Sequence, residues 1–446
     1  MKKNTLNKLL FLFFSIVLLV SCKPTLTAPT PNKGNVDATR FVAIGSSMTA
    51  GYSDGALYYK AQQNSFVSLL AGQFKLIGGG NFNQPLLDAG SIGVGAGGTA
   101  PFKLGYATDC LGASSLIPVP VASSGDLSVF STSVYGTEGP FNNMGVPGAK
   151  TITTVLPGYG NPANGPGNYN PFFYRMASNP ATASILSDVV AANPTFFSLF
   201  IGTDDVLAYA MAGGASDSIT STANFTAALS VIVNGLVAKG AKGAIANIPD
   251  VTLMPFFTTI PYNGLALDSS NASLMNLVYN SRNIYFHIGN NPFLIKDPIA
   301  PYGIRLMQAN EHLLLDVPLD SIKCHGMGSY YEGIPNQYVL TTTEIANIQN
   351  AITNYNTIIK ATALANGLAY VDLNTFFKNL QTGIVYNGVA MNASFVTGGA
   401  FSLDGINLNP IGQAMLANQF IIAINSQYSS TIPQVDATQY SGVVFP

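Results

Sequence analysis

Short apolar runs bounded by Gly, Pro or Asp recur along the chain, at residues 40–44 (RFVAI), 195–201 (TFFSLFI), 243–248 (GAIANI) and 368–373 (LAYVDL). Runs this short and this apolar predict strands buried on both faces, and the helical patterns between them predict a parallel sheet covered by helices. The spacing predicts a helix over residues 342–366. Thr341 and Glu344 stand at capping-box spacing, Ile345, Ile348, Ile352, Tyr355 and Ile359 form one apolar stripe, and Gly367 follows as its C-cap. A second helix is expected over residues 224–238, and a third after Pro410, a residue suited to a first helical turn. Residues 78–140 and 251–340 fit no regular pattern and read as insertions decorating one domain. In an open α/β sheet, ligands sit outside the carboxyl ends of the strands, so the residues just after each run are the candidates for function.

At 446 residues the chain can bury a full core, but length alone allows one domain or several. Charged residues are only 9% and the formal net charge is −2, which leaves no electrostatic footprint for nucleic acid. Mean hydropathy is +0.29. The one long apolar run, residues 9–20 (LLFLFFSIVLLV), is shorter than the roughly 20 residues a membrane-spanning helix needs. With Lys2, Lys3 and Lys8 before it and LVSC at its end, it reads as a signal peptide over residues 1–21. LVSC resembles the lipobox of bacterial lipoproteins, which implies cleavage before Cys22, acylation of its thiol and a lipid-anchored place in the cell envelope. Residues 22–38, rich in Pro and Thr, then serve as a tether, with the folded domain over residues 39–446. Cys110 and Cys324 remain, either paired or as two free thiols.

Four segments carry candidate chemistry. FVAIGSSMTAGY (41–52) puts Ser47 just past a predicted strand, at a turn where helix amides could face a developing oxyanion. NNMGVPGAKT (142–151), IGTDDVLAYA (201–210) and FSLDGINLNPIGQAMLANQF (401–420) follow in order. Together they resemble blocks I, II, III and V of the SGNH, or GDSL, hydrolases. The resemblance implies a three-layer α/β/α sandwich with a flavodoxin-like parallel sheet, and a single domain, because its nucleophile and acid lie near opposite ends of the chain. It implies Ser47 as nucleophile, Gly148 as an oxyanion-hole amide and Asp404 as the triad acid. Asp204 stands where the family has the oxyanion-hole asparagine, Asn407 where it has the histidine, and Ser46 where it has an aspartate.

The departures bear on mechanism. A carboxamide at 407 has no basicity near pH 7 and cannot take the serine's proton. An ionised Asp204 offers only acceptors to an oxyanion. Losing one oxyanion donor slows such chemistry about 10²- to 10³-fold, and losing the base on the order of 10⁶-fold. His287, His312 or His325 could supply a base only by entering the site from a loop, and none shows metal-ligand spacing. The GxGxxG match at Gly93, Gly95 and Gly98 lacks both the preceding strand and the following helix of a nucleotide site. Two readings stand. One is an ester hydrolase at the outer membrane with weakened or lost activity toward small esters, lipids or acylated glycans, needing no cofactor. The other is a pseudoenzyme that binds envelope glycan or lipid.

Overall fold

The computed structural model of the protein describes residues 30–446 except Tyr331 and Asn387. Five strands make the central sheet: β1 (Phe41–Gly45), β2 (Asn143–Gly145), β3 (Phe196–Phe200), β4 (Lys242–Ala246) and β5 (Ala369–Val371). All pairings are parallel and the order is β5-β4-β3-β1-β2, the flavodoxin-like order. Register runs Met144–Ile44–Leu199–Ile245 across the middle of the sheet. Every residue of β1 and β3 is buried, because helices cover both faces.

Helices α2 (Phe66–Lys75) and α7 (Pro410–Tyr428) cover one face, while α3 (Ile185–Ala191), α5 (Thr222–Val237) and α6 (Thr342–Ala365) cover the other. Aromatic stacks tie each layer together. Phe66 on α2 lies 4.8 Å from Phe420 on α7, and Phe225 on α5 lies 4.0 Å from Tyr355 on α6. Two further helices, α1 (Ser47–Ala50) and α4 (Asp204–Met211), begin directly after β1 and β3. At α6 the Glu344 carboxylate accepts the Thr341 amide at 3.0 Å, so the capping box forms as its spacing requires. At α7 the Asn409 side chain accepts the Gly412 amide at 3.0 Å, with Pro410 in the first turn.

The folded part begins before residue 39: Val36 and Ala38 are buried in the main core, and the Asn35 amide donates to the Tyr428 carbonyl at 2.9 Å. The two irregular stretches also carry more structure than their sequence pattern predicts. Phe102–Thr108 and Ser114–Pro120 pair as an antiparallel hairpin with register Phe102–Pro120 to Thr108–Ser114. Most of its side chains are exposed or half-buried on both faces, so no clean apolar alternation marks it. The second stretch holds a helix at Ser269–Tyr279, another at Leu319–His325, and a small core of its own around Met275, Leu294, Ile295, Leu313 and Ile334. A disulfide joins Cys110, in the hairpin turn, to Cys324 in the helix Leu319–His325. Lys323 pairs with Asp109 at 2.9 Å beside it. The signal segment and Cys22 lie outside the described residues. Among those residues, no helix is long and apolar enough to cross a membrane.

Candidate active site

Ser47, Gly148 and Asp204 follow β1, β2 and β3, three adjacent strands, so the fold gathers them at one edge of the sheet. Ser47 and Asp204 flank the point between β1 and β3 where strand order reverses, the usual ligand position in such sheets. Gly45 makes the first turn possible. A Cβ there would sit 2.0 Å from Thr49 Oγ1 and 2.4 Å from the Phe200 carbonyl oxygen, so only glycine lets α1 fold back against the sheet. Ser47 opens α1, half-buried, and among the described residues its hydroxyl makes no hydrogen bond.

Gly148 sits in a tight turn. The Ala149 amide donates to the Val146 carbonyl at 3.0 Å, Pro147 occupies the second position, and Gly148 in the third has φ +75°. That is the pattern of a type II turn, in which the third residue must adopt positive φ. Asn170 Nδ2 donates to the Pro147 carbonyl at 2.8 Å. In a trans peptide the C=O and N–H point oppositely, so the Gly148 amide faces away from Asn170 and makes no hydrogen bond among the described residues.

Asp204 and Asp205 open α4, and both are buried. Asp205 Oδ2 accepts the Thr151 amide at 2.7 Å and its hydroxyl at 2.8 Å, which ties the Gly148 turn to α4. Asp204 has no such support. Its Oδ2 is buried without a partner, and burial pushes its pKa up to about 6. Within that net rise the charge of Asp205 works with burial, while the Ser46 hydroxyl, Lys150 and its own amide work in the other direction.

The loop carrying Asp404 docks against the segment that follows α1. Asp404 accepts five hydrogen bonds: Oδ1 from Ser402 Oγ, the Ile406 amide and the Asn407 amide, Oδ2 from the Gly55 amide and Asn407 Nδ2, all at 2.7–3.0 Å. The Asp54 amide donates to Ser402 Oγ at 3.0 Å, and Asp54 Oδ1 accepts the Leu403 amide at 2.9 Å. On the other side, the Phe256 amide donates to the Gly405 carbonyl at 2.9 Å. Asn407 thus copies the Nδ1–H contact of a triad histidine, its Nδ2 giving 2.9 Å to Asp404. The carboxylate also fixes which way the amide points, since flipping it would set oxygen against oxygen. The remaining Oδ1 is buried with no partner, and no hydrogen bond joins Asn407 to Ser47 among the described residues.

No histidine fills the gap. His287 bonds the Ile288 carbonyl on an exposed turn, His325 ends the helix beside the disulfide, and His312 pairs in a short strand with Leu340, where burial lowers its pKa and only Asp250 raises it. The glycines at 93–98 form a short 3-10 turn whose Gly95 amide is taken by the Thr99 carbonyl. Among the described residues no group of three or more His, Cys, Asp or Glu side chains gathers as metal ligands would. The site therefore holds a hydroxyl, a free turn amide and a rigid carboxylate–carboxamide pair, with three buried oxygens, Asp204 Oδ2, Asp205 Oδ1 and Asn407 Oδ1, left unpartnered. Sequence reasoning missed Ser402, Asp54, Asn170 and Thr151, which hold these groups in place. The turn signal SDG at 53–55 was the one hint of them.

No protein-family model matches the sequence and no curated protein matches it. Among solved structures, the chain is similar to a lipase/acylhydrolase from Enterococcus faecalis at 13% identity, over 89% of this chain and 98% of that one, with a TM-score of 0.33. It is also similar to an acetyl xylan esterase, AlAXEase, at 13% identity, over 86% and 98%, with a TM-score of 0.31. Superpositions this loose transfer no residue role to the present chain.

Proposed function

We propose that the chain keeps the scaffold of an SGNH/GDSL-type ester hydrolase, held at the outer membrane through acylated Cys22, with hydrolysis weakened or lost at Asn407 and Asp204. The observation that carries this reading is the Asn407–Asp404 contact. The acid still holds its partner through an N–H at 2.9 Å, but the partner's other end is a carbonyl oxygen that cannot accept a proton for transfer near pH 7. Ser47 then attacks an ester unassisted by a base, and Asp204, ionised above pH 6, opposes the oxyanion that the Gly148 amide favours.

Hydrolysis of acetyl and longer-acyl p-nitrophenyl esters tests the reading, with Ser47→Ala as the blank. Wild type is expected near that blank. The double variant Asp204→Asn/Asn407→His is expected to gain turnover that disappears when Ser47→Ala is added. Full Ser47-dependent turnover by wild type, unchanged by Asn407→His, would mean that another base exists.

A second reading, a binding module for envelope glycans or lipids, is favoured by the accessible Ser47 hydroxyl and Gly148 amide, which can hold a polar ligand without any base. Such a ligand would raise the melting temperature by mass action. Absence of a shift across a glycan and lipid panel, alongside clear turnover, would remove this reading.

A further inference from the structure

A surface cleft of about 640 Å³ lies not at Ser47 but at the opposite edge of the sheet. Its walls come from the segments that lead into β1, β3 and β4, including Asn35, Arg40, Asn193, Lys239 and Lys242. Because the strands are parallel, all three segments lie at the amino-terminal edge.

Charge is distributed unevenly toward this edge. From residue 30 onward the chain has fifteen Lys and Arg against twenty-one Asp and Glu. Yet the cleft is lined by Arg40, Lys239 and Lys242 with one carboxylate, Asp37, and Lys33 lies within electrostatic reach of that carboxylate. None of these cations forms an ion pair among the described residues. Their partners are neutral: Arg40 Nε donates to the Asn193 carbonyl, Lys239 Nζ to Asn193 Oδ1, and Lys242 Nζ to the Asn35 carbonyl, which orients the three side chains around one opening.

The chain also enters the fold here. The Thr431 hydroxyl donates to the Thr30 carbonyl and the Thr431 amide to the Asn32 carbonyl, at the end of α7. Thr30 lies eight positions after Cys22, a span that cannot exceed about 28 Å. A chain acylated at Cys22 is therefore tethered to the bilayer at this edge and not at the Ser47 edge.

We propose that the cleft bounded by Arg40, Lys239 and Lys242 binds the phosphate of anionic lipid headgroups and seats the amino-terminal edge of the domain on the membrane that anchors it. The inference rests on Cys22 as the anchor. Unpaired cations facing an anionic leaflet gain from its surface potential, and the gain is screened by salt. With this edge seated, Ser47, Gly148 and Asp204 open away from the anchoring leaflet, and the ester or glycan ligand comes from the facing compartment.

The test is hydrogen exchange on the full acylated chain reconstituted in vesicles of phosphatidylcholine alone or mixed with phosphatidylglycerol. Protection of residues 33–42 and 239–243 is expected only in the anionic vesicles, falling as salt is raised and lost in the triple variant Arg40→Gln/Lys239→Gln/Lys242→Gln. Thermal melting checks that the variant is folded, and the salt arm needs no variant. Equal exchange in both vesicle types overturns the proposal. Equal protection by inorganic phosphate in detergent also overturns it, by assigning the cleft to free phosphate. The mass of the amino-terminal peptide tests the anchor separately. If Cys22 is unacylated, the anchor reading fails, and sedimentation of the chain with the same preformed vesicles then decides for or against the cleft.

Discussion

Replacing Asp204 by asparagine should stabilise this protein at neutral pH and change it much less in acid. Asparagine matches the shape of the side chain and still accepts from Ser46, but it cannot ionise. Burial raises the Asp204 carboxyl from 3.8 to about 6, so the folded state binds its proton more tightly than the unfolded state does. A carboxyl raised on folding contributes most favourably when protonated, and stability is lost as pH climbs from the unfolded value through the folded one. Linkage puts the charged form's penalty at about 1 kcal/mol at pH 4.5 and about 3 kcal/mol at pH 7.5. Urea unfolding of wild type and Asp204→Asn at both pH values isolates the effect, because the other titrating groups are common to the two proteins. The variant's advantage should grow by about 2 kcal/mol between pH 4.5 and 7.5. An advantage of equal size at both pH values, or one that shrinks on going to pH 7.5, would refute the argument that Asp204 is a desolvated carboxylate without adequate partners.

Other predictions follow from the same geometry. Gly148→Ala places a Cβ in open space but at φ +75°, so it should lower stability by about 1–2 kcal/mol through backbone strain alone, read by urea midpoint. Removing the disulfide with Cys110→Ser/Cys324→Ser opens a loop spanning 214 residues and should lower stability by up to about 5 kcal/mol, measurable by denaturation with and without reductant. Asn170→Ala frees the Pro147 carbonyl and should lower stability by about 1 kcal/mol. In an Asn407→His background it should also lower kcat for ester hydrolysis by loosening the Gly148 amide.

The sheet was largely legible because four of its strands come from short apolar runs, two of which, β1 and β3, are buried along their whole length. Strand β2 was not, since its three residues NMG carry no strand pattern. It is set by pairing with β1 and by Asn143 Nδ2 reaching the Thr49 carbonyl at 3.0 Å, contacts that no local window contains. Helix α6 announced both its ends through Thr341, Glu344 and Gly367. The insertion over residues 251–340 hid its small core because its apolar residues come from short pieces that pack only on one another. At the site, the positions of Ser47, Gly148, Asp204 and Asp404 could be read from motifs. The unpartnered Asn407 Oδ1 and Asp204 Oδ2 could not, because an unmet hydrogen bond depends on what the rest of the chain fails to bring near.

The Cys110–Cys324 bridge bears on what a histidine placed at position 407 would meet. The hairpin it holds is rooted where the Phe102 amide meets the Asp54 carbonyl, and the other insertion is rooted at Phe256, so the two bridged pieces grip the 402–407 loop from either side. A histidine introduced at 407 would enter a loop already ordered by its neighbours, with the Asp404 carboxylate positioned to receive its N–H. Little conformational entropy would remain to be lost on placing the ring. On the proposed reading, what separates this chain from a Ser–His–Asp arrangement is side-chain identity at a few positions, not architecture.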